Sequence, residues 1–462
     1  MVAQLATRVR RGVCGVFVAG LVSLQSASLA DQWQDDIQFA SCECGMADDA
    51  GCNSCGCESC GCSSCGCNSC GPSLTEEFTR RLTAMAKSMA AQGIVYAPVP
   101  TQFYQGVTSG GIEQDFEYGG KLDQFVILDS GKLGLWDGMT LTMHAETRFG
   151  QDVNFDAVGL APVNVAMLYP KSNEHDTAIT GLSFAQAIDE EVQLTFGKFN
   201  ALDLFYSLYP QTGRGVSGFM NASMVIPLSV ARVVPLSFMG AGAMKYHEKQ
   251  IQGAVLVYDT QNVPTTSGFD DMFNNGANIL GFWRFFTEVG GLPGSHGFGG
   301  IWSTGEFVSF DPTGFAIVPG QGLVAPRQSG AYSLLYILEQ TLWADCCNKD
   351  RNIALLSQWG LADEETSPFH WSANVAVQAQ GFSCRRPQDT MGVGYFHTGL
   401  SEDFRNLLAP LVELQDVNGV ELYYNAAIAK CFHLTADLQI IEPAEAASDT
   451  AIVFGLRGSI AL

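Results

Sequence analysis

From Gly419 to Leu462 the chain reads as three successive β-strands in which apolar side chains fall on every second position. Phe454, Leu456, Ile460 and Leu462 share one face, with Arg457 and Ser459 on the other. Leu434, Ala436, Leu438 and Ile440 likewise stand opposite Thr435, Asp437 and Gln439. A strand sends successive side chains to opposite faces, so the pattern sets grease on one side and hydrogen-bonding groups on the other. Two architectures meet that demand. In a soluble sandwich the apolar face is the core; in a transmembrane barrel it meets lipid, and alternation alone does not choose between them.

The N-terminus bears on the compartment. Arg8, Arg10 and Arg11 precede an apolar stretch from Val13 to about Leu24, and small residues follow to Ser28-Leu29-Ala30. This is the pattern of a cleaved secretory signal over residues 1–30, too short in its apolar part to span a bilayer comfortably. Cys14 inside it reads as apolar filler. Of the 462 residues, 47% are hydrophobic and only 15% charged, yet the best candidate for a membrane helix, Met224 to Met244, contains Pro227 and Pro235. It reads instead as two short β-like runs, Ala222–Val230 and Val233–Met239. A greasy, glycine-rich chain without long apolar runs enters a bilayer by closing a barrel, which pairs every backbone donor and acceptor between strands. Removing the signal takes away three arginines and leaves 21 basic against 47 acidic side chains. That balance disfavours a nucleic-acid partner.

Residues 31–71 are an acidic lead followed by a low-complexity tract, Cys-x-x-Cys-Gly repeated through Cys52, Cys55, Cys57, Cys60, Cys62, Cys65, Cys67 and Cys70. With no apolar residue besides cysteine, the tract builds no core of its own. Its spacings suit thiolate metal binding, but export favours disulfides, and a disulfide-linked tail, open to a partner in the envelope, is preferred over a soft-metal site. Cys346, Cys347, Cys384 and Cys431 lie further along, with local pairing open to some of them. Residues 72–93 predict a short periplasmic amphipathic helix, with a capping box at Ser73-Leu74-Thr75-Glu76, an apolar stripe of Leu74, Phe78, Leu82, Met85 and Met89, and Gly93 as C-cap.

From residue 94 to 462 the pattern is strands and turns. Clear strands are Leu141–Phe149, Ala178–Ala187, Val192–Phe199, Leu236–Tyr246, Gln252–Tyr258, Ile279–Phe286, Phe298–Phe307, Tyr332–Leu342, Ile353–Gly360, Trp371–Phe382, Met391–Leu400, Val420–Cys431 and Leu434–Ile441. The length accommodates roughly sixteen membrane strands with alternating short turns and longer loops, where a soluble sandwich would split into domains. The fold expected is therefore all-β, a transmembrane antiparallel barrel of about 16 strands behind a short helix. Thr142, His144, Glu146 and Arg148 share one face of a strand; a dry core would have to pair such ionisable groups at several kcal/mol each, whereas a wet lumen carries no such penalty. Phe149, Trp302, Trp343 and Trp371 sit near strand ends, where interfacial aromatic girdles form.

Several segments together resemble the carbohydrate-selective porin (OprB-like) family. These are Gln92-Gly93-Ile94-Val95-Tyr96, Gly119-Gly120-Lys121-Leu122-Asp123, Phe196-Gly197-Lys198-Phe199-Asn200 with Leu204-Phe205, Arg386-Pro387-Gln388-Asp389 within Gly381–Gly394, and the hairpin Val420–Asn425 to Leu434–Gln439. The Cys tract is an addition to that pattern, and Leu462 stands where such barrels usually end on an aromatic. The resemblance implies a sixteen-stranded outer-membrane barrel passing sugars by diffusion, without cofactor and without enzymatic activity, embedded in outer-membrane lipid. A selective lumen for sugars needs paired charged or amide groups whose contacts are weak enough to release the solute. The lumen candidates are His144, Glu146, Arg148, Arg386, Asp389, Asp437 and Arg457, with Glu146–Arg148, Asp437–Arg457 and Arg386–Asp389 as pairs. For each, a structural ion pair is the competing role, and Arg386–Asp389 reads as a turn clamp. A general pore or a Cys-cross-linked envelope protein are the alternatives. An exported hydrolase is disfavoured because neither Gly-x-Ser-x-Gly nor His-Glu-x-x-His occurs, and the acid run Asp189-Glu190-Glu191 reads as a turn.

Overall fold

The computed structural model describes residues 74–168, 170, 177–318, 322–346, 348, 350–383, 386–429 and 431–460. The expected signal, the acidic lead, the Cys tract, Ser73, Cys347, Cys384 and Leu462 lie outside the described residues. Helix α1 (Leu74–Ala91) leads into the first strand through Gly93, whose φ of 89° is open to glycine at little cost. Met85 on its expected apolar stripe is exposed and Met89 half-buried.

The strands are β1 (Ile94–Ser109), β2 (Phe116–Asp129), β3 (Met139–Gly150), β4 (Ala178–Ala187), β5 (Val192–Asn200), β6 (Ser237–His247), β7 (Gln250–Asp259), β8 (Ala277–Val289), β9 (Leu292–Val308), β10 (Ala316–Val318), β11 (Gly322–Val324), β12 (Arg327–Ala344), β13 (Asn352–Ala362), β14 (Phe369–Gln380), β15 (Thr390–Leu400), β16 (Val417–Ala427), β17 (Phe432–Glu442) and β18 (Ala451–Ile460). Sixteen of them form one antiparallel closed barrel, each beside its neighbour in sequence, with the hairpin β10–β11 standing apart so that β9 pairs β12. Closure comes from β1 against β18, Thr101 opposite Ser459 and Val107 opposite Val453, which leaves no free sheet edge.

The burial pattern is inside-out. Phe454 and Leu456 are 39% and 37% exposed, whereas Arg457 between β17 and β1 is 0% exposed. The same holds on β14, where Trp371, Val375 and Val377 face outward while Ser372, Asn374 and Ala376 are buried. An apolar exterior around a polar interior is stable only if the exterior meets hydrocarbon. Phe149, Trp302, Trp343 and Trp371 are all on that outer surface.

The barrel's two ends differ. One end has brief connections, such as residues 248–249 and 290–291, and is the end at which α1 joins β1. The other carries long ones, above all residues 151–177 between β3 and β4 and residues 201–236 between β5 and β6. Both fold into the lumen. The 151–177 connection holds α2 (Asn154–Ala157) and a 3-10 turn at Val165–Met167. The 201–236 connection holds α3 (Ala201–Leu208), a 3-10 turn at Pro210–Thr212, α4 (Ala222–Val225) and a 3-10 turn at Leu228–Val230.

Two boundary expectations fail. The runs Ala222–Val230 and Val233–Met239 are not two strands: α4 and a 3-10 turn occupy the first, and strand structure begins only at Ser237. Short apolar runs do not distinguish a buried helix from a strand, and here Asn221 accepts a hydrogen bond from Ser223 N at 2.9 Å, capping a helix the alternation concealed. The strand expected at Val420–Cys431 ends at Ala427, so Cys431 lies in the turn.

Candidate functional site

The inward connection 201–236 is shaped by local chemistry before it meets the wall. Asn200 ends β5 and caps α3, accepting from Leu202 N at 3.0 Å and Asp203 N at 3.3 Å. After the Pro210–Thr212 turn the backbone goes left-handed at Gly213, Arg214 and Gly215, with φ of 70°, 53° and 74°. A Cβ on Gly213 would stand 1.6 Å from the Ser217 carbonyl oxygen, so this turn requires glycine. The two inward connections also bind each other: Ala222 N donates to Pro162 O at 2.8 Å and Val165 N to Met220 O at 2.9 Å.

Around the wall, lumen-facing polar side chains reach the backbone of these connections. From β18, Arg457 donates to Gly215 O at 2.9 Å and Gly218 O at 3.0 Å, and to Thr435 Oγ1 at 3.0 Å. From β16, Glu421 accepts from Met220 N and, at 3.0 Å, from Asn221 N. From β17, Gln439 donates to Val163 O at 2.9 Å. From β14, Asn374 donates to Ser223 O at 2.7 Å; from β12, Ser333 to Ser229 O at 3.0 Å; from β7, Tyr258 to Val233 O at 2.9 Å. Arg284 of β8 donates to Leu208 O and lies over the Tyr209 ring at 4.3 Å. Helix ends and irregular turns leave backbone groups unpaired, and inside a barrel these side chains stand in for water. The lumen is therefore not polar throughout: Phe238, Leu256, Tyr258, Phe282, Ile301 and Ile337 of β6–β9 and β12 pack as a core with Leu204, Leu208 and Tyr209 of the inward segment.

A charged network joins wall to segment at β2 and β3. Lys121 Nζ lies 2.5 Å from Glu146 Oε1 and 2.9 Å from Asp123 Oδ1. His144 is 3.0 Å from Asp123 through Nε2 and 2.6 Å from Asp203 through Nδ1, while its ring stacks on Phe125 with centroids 4.0 Å apart. Arg214 closes the network at 2.5 Å from Asp203 Oδ1, and Asn200 Nδ2 donates to Glu146 Oε2 at 2.9 Å. Three carboxylates thus face three bases out of water, the condition under which buried charge is tolerable. For Asp203, burial raises the carboxyl pKa, but His144 and then Arg214 more than offset it, and the group is held below its ordinary range. Asp123, His144 and Glu146 have the spacing of a metal triad. The Lys121 ammonium already sits between the two carboxylates, which makes a second cation there unfavourable.

Of the sequence-derived lumen candidates, His144 and Glu146 come together in this network, but Glu146 does not pair with Arg148. Arg148 pairs with Asp152, four residues on, because alternate residues of one strand stand too far apart for a short ion pair when closer partners exist. Asp437 and Arg457 are not paired either: Asp437 accepts from Gln439 Nε2 at 2.9 Å, and Arg457 is taken up by backbone carbonyls. Arg386 and Asp389 do pair, at 2.7 Å, in the 381–389 turn at the α1 end, away from the inward connections. Lys121, Asp123, Asp203, Arg214, Arg284 and Glu421 were missed as site residues. Lys121 and Asp123 share a strand face by alternation and were within reach; Asp203 and Arg214 lie on irregular backbone with no periodicity to read.

A family model, the carbohydrate-selective porin, OprB family, matches residues 113–462. The chain belongs to that family. The porin is similar in fold to the high-pH structure of OprB from Pseudomonas putida, with a TM-score of 0.70 and 17% identity over 82% of this chain and 97% of that one. It is also similar to the low-pH structure of the same protein, with a TM-score of 0.51 and 15% identity over 83% of this chain and 97% of that one. No curated protein matches the chain. The porin is an outer-membrane barrel for passive, carbohydrate-selective diffusion, its solutes are sugars, and channels of this family and fold are typically non-enzymatic.

Proposed function

We propose that sugars are selected where the connections 151–177 and 201–236 narrow the lumen, and that His144, Glu146, Asp437 and Arg457 serve this indirectly, by holding those connections in place. The observation that carries this is the ring of wall side chains, from β7 to β18, that each satisfy a backbone group of the inward segments. Such contacts fix an aperture rather than a ligand. A sugar passes by exchanging weak contacts, so residues committed to the backbone at 2.7–3.0 Å act as scaffold. Arg148 with Asp152 supports the rim of the 151–177 connection, and Arg386 with Asp389 clamps a turn.

Outer-membrane barrels carry short turns on the periplasmic side and longer loops outside, which places α1, the Arg386–Asp389 turn and the N-terminal tail in the periplasm. A cleaved signal over residues 1–30 fits this orientation. No catalytic role is assigned to any side chain. The Cys tract is read as a disulfide-forming tail in an oxidising compartment, available to an envelope partner or to the chain itself.

Reconstitution of the mature chain in liposomes and planar bilayers tests the reading. Swelling should be faster with glucose and disaccharides than with ionic solutes, and anchor variants should alter single-channel conductance. Conductance indifferent to millimolar sugar and identical in anchor variants overturns it.

A further inference from the structure

All four cysteines beyond the N-terminal tract fall in connections at one end of the barrel, the end where α1 joins β1. Cys346 lies in the 345–351 turn between β12 and β13, and Cys431 in the 428–431 turn between β16 and β17. The first of these turns also carries Cys347 in sequence, and the 381–389 turn between them carries Cys384, both outside the described residues. Alternation explains nothing here, since strands and long connections offered far more positions.

The three turns are tied to one another. Arg351 pairs with Asp345 in its own turn and donates through Nε to Gly381 O at 2.9 Å, joining the first turn to the second. Asp389, held by Arg386, accepts from the Tyr424 hydroxyl and from Ala427 N at 3.0 Å, joining the second to the third. The result is one continuous platform on the periplasmic rim, with Cys346 exposed and Cys431 half-buried at its two ends. It gives the Arg386–Asp389 clamp a purpose that sugar contact does not.

The tail reaches this platform. In the barrel order β1-β18-β17-β16-β15-β14-β13-β12, neighbouring strands lie about 4.8 Å apart, which puts the Cys431 turn roughly 15–20 Å and the Cys346 turn roughly 30–40 Å around the rim from β1. The tract from Cys52 to Cys70 spans up to about 60 Å when extended. It has no apolar surface with which to dock, so a covalent link is the chemistry left to it.

We propose that the N-terminal Cys tract of this chain is joined by disulfides to its own barrel rim, with Cys346 and Cys431 as the rim partners. Each bond forms by thiol–disulfide exchange: a thiolate of tract or rim attacks a disulfide-bearing protein oxidant of the periplasm, and the second thiolate resolves the mixed disulfide. The new S–S bond is the oxidised product, and the oxidant leaves as two thiols carrying the two electrons and two protons. The assignment rests on reading the tract as disulfide-forming and is independent of which solute passes.

The test uses the full mature chain with a protease site inserted after Gly71, isolated from outer membranes with free thiols alkylated. After cleavage under denaturing, non-reducing conditions the tail should remain with the barrel and leave on reduction. In the combined variant Cys346→Ser, Cys347→Ser, Cys384→Ser, Cys431→Ser it should leave without reductant. Release from the parent without reductant, transfer of the tail to a band of another protein, or retention in the combined variant overturns the proposal. Disulfide mapping of the parent by mass spectrometry decides the matter even if the variant fails to fold: a tract peptide joined to a 345–351 or 428–431 peptide is expected, and rim cysteines linked only to each other or recovered alkylated refute it. Sugar permeation plays no part in either readout, so failure here leaves the transport reading standing, and the reverse.

Discussion

His144 Nδ1 lies 2.6 Å from Asp203 Oδ2, so a single hydrogen bond crosses from the barrel wall on β3 to the helix α3 folded inside it. Its other nitrogen faces Asp123 at 3.0 Å, and the imidazole is thereby caught between a fixed carboxylate and a movable one. The position of the inward segment depends on charges the wall holds out.

Removing the movable partner tests this. Asp203→Asn leaves His144 and Arg214 buried without their common carboxylate, a loss of about 3–5 kcal/mol for breaking a buried ion pair. The expected outcome is an intact barrel by heat-modifiable migration at lower temperature, with single-channel traces that are noisier than the parent's. Unchanged noise and unchanged transition temperature would show the bond to be idle.

The same carboxylate predicts an acid limit. Its pKa is depressed below the ordinary 3.8, so it contributes stability above about pH 4 that is lost as pH falls through the folded-state value. The transition temperature of the parent should fall on acidification below about pH 4 more steeply than that of Asp203→Asn, which lacks this group. Parallel curves for the two proteins would remove Asp203 from the acid response.

Arg457 is the counterpart anchor on the far side. Arg457→Met strips the donors from the Gly215 and Gly218 carbonyls, each buried acceptor costing about 1–3 kcal/mol when left unpaired. Conductance should change and the transition temperature should drop, while Arg457→Lys, which reaches one carbonyl, should fall between. Circular dichroism confirms that the sheet persists.

How much of this was legible in sequence follows from what alternation can report. Arg457, Asp437, His144 and Glu146 were placed on the inner face because period two gives each strand residue a side. What they touch was not legible, since the partners, Gly215, Gly218, Asp203 and Asn200, belong to irregular backbone whose path depends on the closed barrel around it. The pairing of Glu146 with Arg148 failed for this reason: sequence neighbours were chosen where Lys121, one strand away, was nearer. The inner apolar patch at Phe238, Tyr258 and Phe282 was also missed as a lumen feature, because it becomes a core only once Tyr209 arrives against it.

Gly213→Ala probes the segment's own geometry. The new Cβ would meet the Ser217 carbonyl at 1.6 Å in a left-handed conformation, and the backbone must shift from φ 70°. A cost of roughly 1–3 kcal/mol is expected from the strained conformation alone. The change lies away from every strand, so barrel assembly should survive while sugar permeation rates shift. Permeation identical to the parent would mean that this turn does not shape the passage.

The outer face is tested by charge. Val375 stands near the middle of β14, 46% exposed, and its neighbours across the sheet on the same surface include Ser357 and Tyr395. If that surface meets acyl chains, Val375→Lys places an ammonium in hydrocarbon at a cost of about 2–4 kcal/mol near the bilayer midplane. If it met water, the same change would be close to neutral. Equilibrium unfolding in phospholipid bilayers should therefore show the larger loss for Val375→Lys. A control at Gln102, exposed on β1, distinguishes burial depth from general disturbance by replacing one polar side chain with another, Gln102→Lys. Equal and negligible losses at both positions would contradict a lipid-facing exterior at Val375.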